Sequence, residues 1–162
     1  MAWVDGSAST SALPWSRESE DVLHHTVTCD SAALALAVDD VRGRMLVGTQ
    51  QGDIRVWHLP TFEVQADLVG HRSSVLSLVL SDDYVFSASS DSTVRVWDAE
   101  TLQPRACVFP ASTNTGDIYS LAWDAKAQVL YMGCQDTSIE WISITRACLH
   151  AVSYTHMTLP TK

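Results

Sequence analysis

The amino-acid sequence predicts an all-β fold built from about three repeated four-stranded units. Three observations carry that expectation. Short apolar runs follow one another from residue 33 to residue 144, each bounded by Asp, Gly, Pro, Ser or Asn. Residues 54–58 (IRVWH) and 94–98 (VRVWD) repeat one pattern, with Trp57 and Trp97 standing 40 residues apart. The paired acids Asp39-Asp40 and Asp82-Asp83 fall at the same place in successive units, between a first and a second run, where hairpin turns belong.

The elements follow in order. Residues 1–22 are rich in Ser, Ala and acids without periodicity and read as a flexible leader, Trp3 and Trp15 included. The first unit spans residues 23–69, with strands at 33–38 (ALALAV), 44–49 (RMLVGT), 54–59 (IRVWHL) and 63–68 (EVQADL). Asp39-Asp40, Gln51-Gly52 and Pro60-Thr61 break them apart. The second unit, residues 70–109, holds three runs within 70–98 and an outer strand at 105–108. The third, residues 110–144, is entered by a polar link (PASTNTGD) and has strands at 118–123, 129–134 and 139–144. Several runs are apolar on both faces, as expected of sheets enclosed between other sheets.

Residues 70–98 open on Gly70-His71 and close on Trp97-Asp98. This stretch resembles one WD40 repeat, a single blade of a β-propeller. The resemblance implies blades of roughly 40–45 residues and rings of about four to eight blades. A chain of 162 residues then holds about three blades, an incomplete ring that is a fragment or closes with a partner chain. The resemblance also implies a hydrogen-bonded network of His71, Ser87, Asp91 and Trp97. The chemistry suits it: an imidazole between a carboxylate and a hydroxyl, with an indole N–H that needs an acceptor when buried.

Trp57, Asp98, Asp136 and Ile142 complete the repeat signature. Asp136 stands three residues before Ile139, as Asp91 stands three before Val94, which places Ile142 at the tryptophan position. Trp141 then points to the other side of its strand. Blade one departs from the motif, with Val47 at the Ser position, Gln51 at the Asp position and His58 after its tryptophan. Blade three lacks a Gly-His pair. Both are expected to rely on apolar packing and to be the weaker units.

Other chemistries find little in the sequence. Ser87, His71 and Asp91 could be read as a hydrolytic triad, but no G-x-S-x-G elbow surrounds Ser87 and the blade motif already accounts for all three. No catalytic residue, metal site or cofactor is assigned. His24 and His25 are adjacent and diverge in an extended segment, and His58, His150 and His156 lack spaced partners of a zinc type. Neither nucleotide-binding glycine motif is present. A net charge of −9, from 19 acidic against 10 basic residues, makes nucleic acid and anionic membranes poor partners. No apolar run reaches the roughly 20 residues of a membrane span, and no signal sequence opens the chain. The four cysteines (Cys29, Cys107, Cys134, Cys148) show no CxxC spacing and read as buried reduced thiols of a cytoplasmic protein.

Two further stretches, 115–123 (TGDIYSLAW) and 131–141 (YMGCQDTSIEW), are more specific. They resemble the N-terminal WD repeats of fungal glutathione-degradation proteins, in which a propeller precedes a zinc-peptidase-like domain. The resemblance covers about residues 25–144. It implies work alongside a glutamine-amidotransferase-like subunit that removes the γ-glutamyl group of glutathione. The sequence carries none of that domain's metal ligands, so it reads as a non-catalytic scaffold that binds proteins through its blade faces. The alternatives are an adaptor of a ubiquitin-ligase or trafficking assembly and the truncated N-terminus of a metallopeptidase-type enzyme. Residues 145–162 look non-native, and their ending AVSYTHMTLPTK looks like translated sequencing-adapter sequence.

Overall fold

The computed structural model describes residues 26–110 and 115–145. The proposed leader, His24, His25 and the chain beyond Thr145, with Cys148, His150 and His156, lie outside the described residues. The described strands are β1 (Ala33–Asp39), β2 (Arg44–Thr49), β3 (Ile54–His58), β4 (Glu63–Leu68), β5 (Val75–Leu80), β6 (Tyr84–Ser89), β7 (Val94–Asp98), β8 (Pro104–Val108), β9 (Ile118–Asp124), β10 (Val129–Cys134) and β11 (Ile139–Ser143). They form three antiparallel sheets whose spatial order follows the chain: β1-β2-β3-β4, β5-β6-β7-β8 and β9-β10-β11. The expected fold class, an all-β fragment of about three propeller blades, is the fold observed. Among the described residues no helix is long and apolar enough to cross a membrane.

One register serves all three sheets. Trp57 lies opposite Met45, Trp97 opposite Val85 and Ile142 opposite Leu130. Ile142 therefore occupies the tryptophan position and packs on the core, whereas Trp141 is 67% exposed. Each first strand carries an irregularity near its start, at Ala33/Ala35, Val75/Ser77 and opposite Gly133/Cys134. A bulge there bends and twists the strand, turning each sheet at the same point. Strand ends differ from expectation by a single residue. β3 and β11 stop at His58 and Ser143 because the next amides, Leu59 and Ile144, bond the Gly43 and Gln128 carbonyls of the neighbouring turns.

Side chains alternate across a strand, and the middle sheet uses both of its faces. Leu78, Val85 and Trp97 meet Leu46, Ile54 and Val56 of the first sheet. Phe86, Val94 and Val96 meet Ile118, Leu130 and Met132 of the third. Gly48 sets how closely the first pair approaches, since a Cβ there would stand 2.5 Å from Val75 Cγ1. The cysteine expectation needs correction: Cys134 is buried, but Cys29 and Cys107 are half-buried. Cys29 precedes β1, outside any strand, and Cys107 sits on outer strand β8 opposite Arg95. Burial pushes the Cys134 and Cys107 thiols up.

Candidate functional site

The polar chemistry of the molecule gathers in the middle sheet. The link between β4 and β5 carries His71, β6 carries Ser87, the β6–β7 turn carries Asp91, and β7 carries Trp97. Trp97 Nε1–H donates to Ser87 Oγ at 2.9 Å, and Ser87 Oγ lies 2.8 Å from His71 Nε2. His71 Nδ1 stands 3.1 Å from Asp91 Oδ2. A carboxylate only accepts, so Nδ1 carries the imidazole proton and the Ser87 hydroxyl donates to Nε2. Every donor then has an acceptor, in the order Trp97, Ser87, His71, Asp91.

Two residues that sequence reasoning missed complete the arrangement. Thr93 Oγ1–H donates to Asp91 Oδ1 at 2.6 Å, and the Thr93 amide bonds the same oxygen at 3.0 Å. Ser89 Oγ accepts the Asp91 amide at 3.0 Å and donates to the Ser73 carbonyl at 3.0 Å. The available signal was the Asp-x-Ser/Thr spacing, which recurs in the third sheet. There Asp136 Oδ1 accepts from the Ser138 hydroxyl at 2.6 Å and the Ser138 amide at 3.0 Å.

Electrostatics follow from this geometry. Burial lowers the His71 pKa below its ordinary value, outweighing the pull of Asp91, so the ring is neutral. Burial alone would raise Asp91, but the Thr93 hydroxyl, the Arg72 amide and His71 together hold it below the usual carboxylate range. Asp98 accepts the Thr101 amide at 2.7 Å and pairs with Arg105 at 2.6 Å. The Thr101 amide first, then Arg105, depress its pKa to about 2. The equivalent in the first sheet, His58, bonds only Thr61 Oγ1 by its side chain, at 3.0 Å.

Asp91, His71 and Ser87 do lie in the order of a nucleophilic triad. Ser87, however, is fully buried and already accepts the Trp97 indole N–H. No substrate carbonyl can reach that oxygen, so this constellation acts as a structural tie. It joins the chain entering β5 to the β6–β7 turn and to β7. Among the described residues no group of three or more His, Cys, Asp or Glu side chains converges as metal ligands would.

The first sheet shows what loss of the network leaves behind. Gln50 N bonds the Ala32 carbonyl as Ser90 N bonds that of Ser74, which aligns Cys29 with His71. Cys29, Val47, Gln51 and Trp57 thus occupy the four network positions without linking. A polar cleft of about 120 Å³ opens there beside Thr49, Asp53 and Arg55. Thr49 Oγ1 is buried and makes no hydrogen bond. Trp57 is still buried, at 3% exposure, with the Arg55 guanidinium 6.0 Å from its ring centre.

The hairpin turns joining first to second strands form an acidic rim with two open clefts. One, of about 350 Å³, lies between Val41 and Ser81 and is bordered by Asp39, Asp40 and Asp82. The other, of about 260 Å³, lies between Asp83 and Ala125 under Tyr84 and Trp123. Arg42 ties adjacent sheets across the rim, from its Nε to Glu100 at 2.8 Å and from its guanidinium to the Asp82 carbonyl at 2.8 Å. Val41 stands out of the rim, 85% exposed.

Comparison with known proteins agrees with the sheet geometry. Residues 62–98 match the family model for the WD domain, G-beta repeat, and span the middle sheet's network. The β-propeller domain of Myceliophteria thermophila Cps50 (Swd1) is similar in fold, with a TM-score of 0.65 over 76% of this chain and 39% of that chain at 19% identity. These sheets are β-propeller blades, and the middle one carries a WD40 repeat. Among curated proteins, these blades resemble the Zinc finger CCCH domain-containing protein 17 of Oryza sativa, 42% identical over 76 residues. They also resemble the Probable di- and tripeptidase DUG2 of Saccharomyces cerevisiae, 30% identical over 116 residues. Those matches cover 44% and 60% of this chain but only 17% and 13% of the two relatives, so the blades span under a fifth of either protein.

Proposed function

We propose that this chain is a non-catalytic protein-interaction scaffold whose blade faces hold a protein partner in a cytoplasmic glutathione-degrading assembly. The observation that carries the scaffold role is the burial of Ser87, His71 and Trp97 in one closed hydrogen-bond chain. The reactive side-chain types are spent on holding a blade, which leaves the rim turns and their clefts as the surface that meets other molecules. The glutathione assignment is supported by the likeness to the yeast di- and tripeptidase over 60% of the chain. The two stretches that resemble that family meet in the fold, where Gln135 Oε1 accepts the Asp117 amide at 3.2 Å. The partner the assignment implies is a glutamine-amidotransferase-like subunit.

Co-purification of the folded chain with that subunit tests the reading, with Val41→Glu and Asp82→Lys as rim variants. Association is expected at micromolar concentrations and should weaken at least tenfold in one rim variant. A folded chain that fails to bind the subunit contradicts the glutathione assignment. The higher identity to the rice zinc-finger protein, 42% against 30%, favours a second reading, an adaptor of an assembly other than a glutathione-degrading one. Binding to a subunit of such an assembly, and not to the amidotransferase-like one, decides for it.

A further inference from the structure

Blades one and two place different charges on the same three positions. In blade one Arg55 of β3 is held by two carboxylates, Asp67 opposite it on β4 at 2.8 Å and Asp30 before β1 at 2.9 Å. The register that aligns Cys29 with His71 aligns Asp30 with Arg72. The pairing of the outer strands aligns Asp67 with Cys107, and Arg55 with Arg95. Arg95 of β7 therefore has a thiol opposite it, and a second arginine where blade one has its other acid. One cation between two anions becomes two cations beside a thiol.

Among the described residues nothing neutralises that pair. Neither guanidinium makes a hydrogen bond or an ion pair, and Arg95 Nε is buried without a partner. A buried donor left unpaired costs free energy that a bound acceptor would recover. Asp91, on the neighbouring turn, is already engaged by the Thr93 hydroxyl and amide, the Arg72 amide and His71 Nδ1. Residues 111–114 (ASTN), in the link that follows β8, carry no charge. Burial keeps the Cys107 thiol protonated at neutral pH against the pull of Arg95 and Arg72, both of which lie close enough to act on it. Gly70 makes room for Arg95: a Cβ there would stand 2.8 Å from Nη1 and 3.0 Å from Cζ, so the guanidinium rests on bare backbone.

We infer that Arg72 and Arg95 form a binding site for a phosphate group. Two guanidinium groups match the charge of a phosphate monoester, about two negative charges at neutral pH, and their planar forks match its oxygens. A single carboxylate would leave one cation uncompensated. The net charge of −9 opposes a polyphosphate chain, so the ligand is one isolated phosphate, either the free ion or a phosphorylated side chain of a protein. The site lies at the β6–β7 turn end of the sheet, away from the acidic rim, and holds whichever assembly the chain serves.

Heteronuclear NMR of the full chain, following the arginine Nε–H signals, tests the inference with inorganic phosphate, N-acetyl-phosphoserine methylamide and acetate at equal ionic strength. Phosphate and the phosphoserine compound should move the Arg95 signal along saturating curves, and acetate should not. Tighter binding of the phosphoserine compound, by roughly fivefold or more, assigns the site to a phosphorylated side chain, and a smaller difference assigns it to the free ion. Cys107→Asp supplies the carboxylate that blade one has, so Arg95 should pair internally and the phosphate response should vanish. Arg72→Gln, at an exposed side chain, should weaken phosphate binding roughly fivefold or more with an unchanged circular dichroism spectrum, and it stands in should Cys107→Asp misfold. No saturable shift, an equal shift with acetate, or a full phosphate response in either folded variant overturns the inference.

Discussion

At Ser87 two hydrogen bonds, from Trp97 and to His71, meet on one hydroxyl with no solvent to replace either. Deleting a partner there leaves a buried donor or acceptor unpaired, which costs about 1–3 kcal/mol. His71→Ala and Ser87→Ala are each expected to lower unfolding free energy by that amount in urea titrations. Gln51→Ala, at the exposed equivalent of Asp91 in blade one, should change it by under about 0.5 kcal/mol. Equal losses from His71→Ala and Gln51→Ala would contradict the network's role. Acid should act through the same residues. His71 titrates near 6.5 when unfolded and below that when folded, so below about pH 6.5 the unfolded chain takes up a proton that the folded chain does not. Stability falls from there as pH drops. Asp91, held below 3.8, adds a second loss below that value, and Asp98 a third that runs down toward about 2. The urea midpoint followed from pH 7.5 to 5 should decline in the wild type and stay flatter in His71→Ala.

The turns between second and third strands show the same economy at the scale of an element. Gly52, Ser92 and Thr137 hold equivalent places with φ of 99°, 62° and 72°. A left-handed backbone costs a β-branched residue most, and Thr137 is exposed with no packing to offset it. Thr137→Gly is expected to stabilise the third sheet by about 1 kcal/mol, read as a higher melting temperature. A lower one would mean the threonine makes a contact that matters. The strands themselves were legible because apolar runs and turn residues alternate strictly, and the turn-to-strand spacing placed Ile142 inward and Trp141 outward. The network was legible only in the residues the WD40 motif names. Thr93 and Ser89 escaped because small hydroxyl residues are common in turns, and their bonds to Asp91 and Ser73 depend on a turn geometry that no residue type announces. The half-burial of Cys29 and Cys107 escaped for a related reason: it depends on where each sheet ends, which apolar character does not encode.

Across the whole molecule, stability is distributed by neighbours. A repeat array is roughly a sum of each unit's own stability and its junctions. Among the described residues the middle blade has two junctions and the complete network, whereas the first and third have one junction each and incomplete networks. Phe86, at the centre of the junction with blade three, should cost about 3–5 kcal/mol when cut to Ala and should loosen that blade along with its own. The central claim is that the middle blade holds its neighbours, and strand-by-strand hydrogen exchange in the native protein tests it most directly. The account predicts the slowest amides in β6 and β7, faster exchange in β2, β3, β10 and β11, and a selective loss of protection around β5–β7 in His71→Ala. Equal protection in all three sheets, or slower exchange in an outer one, would contradict it.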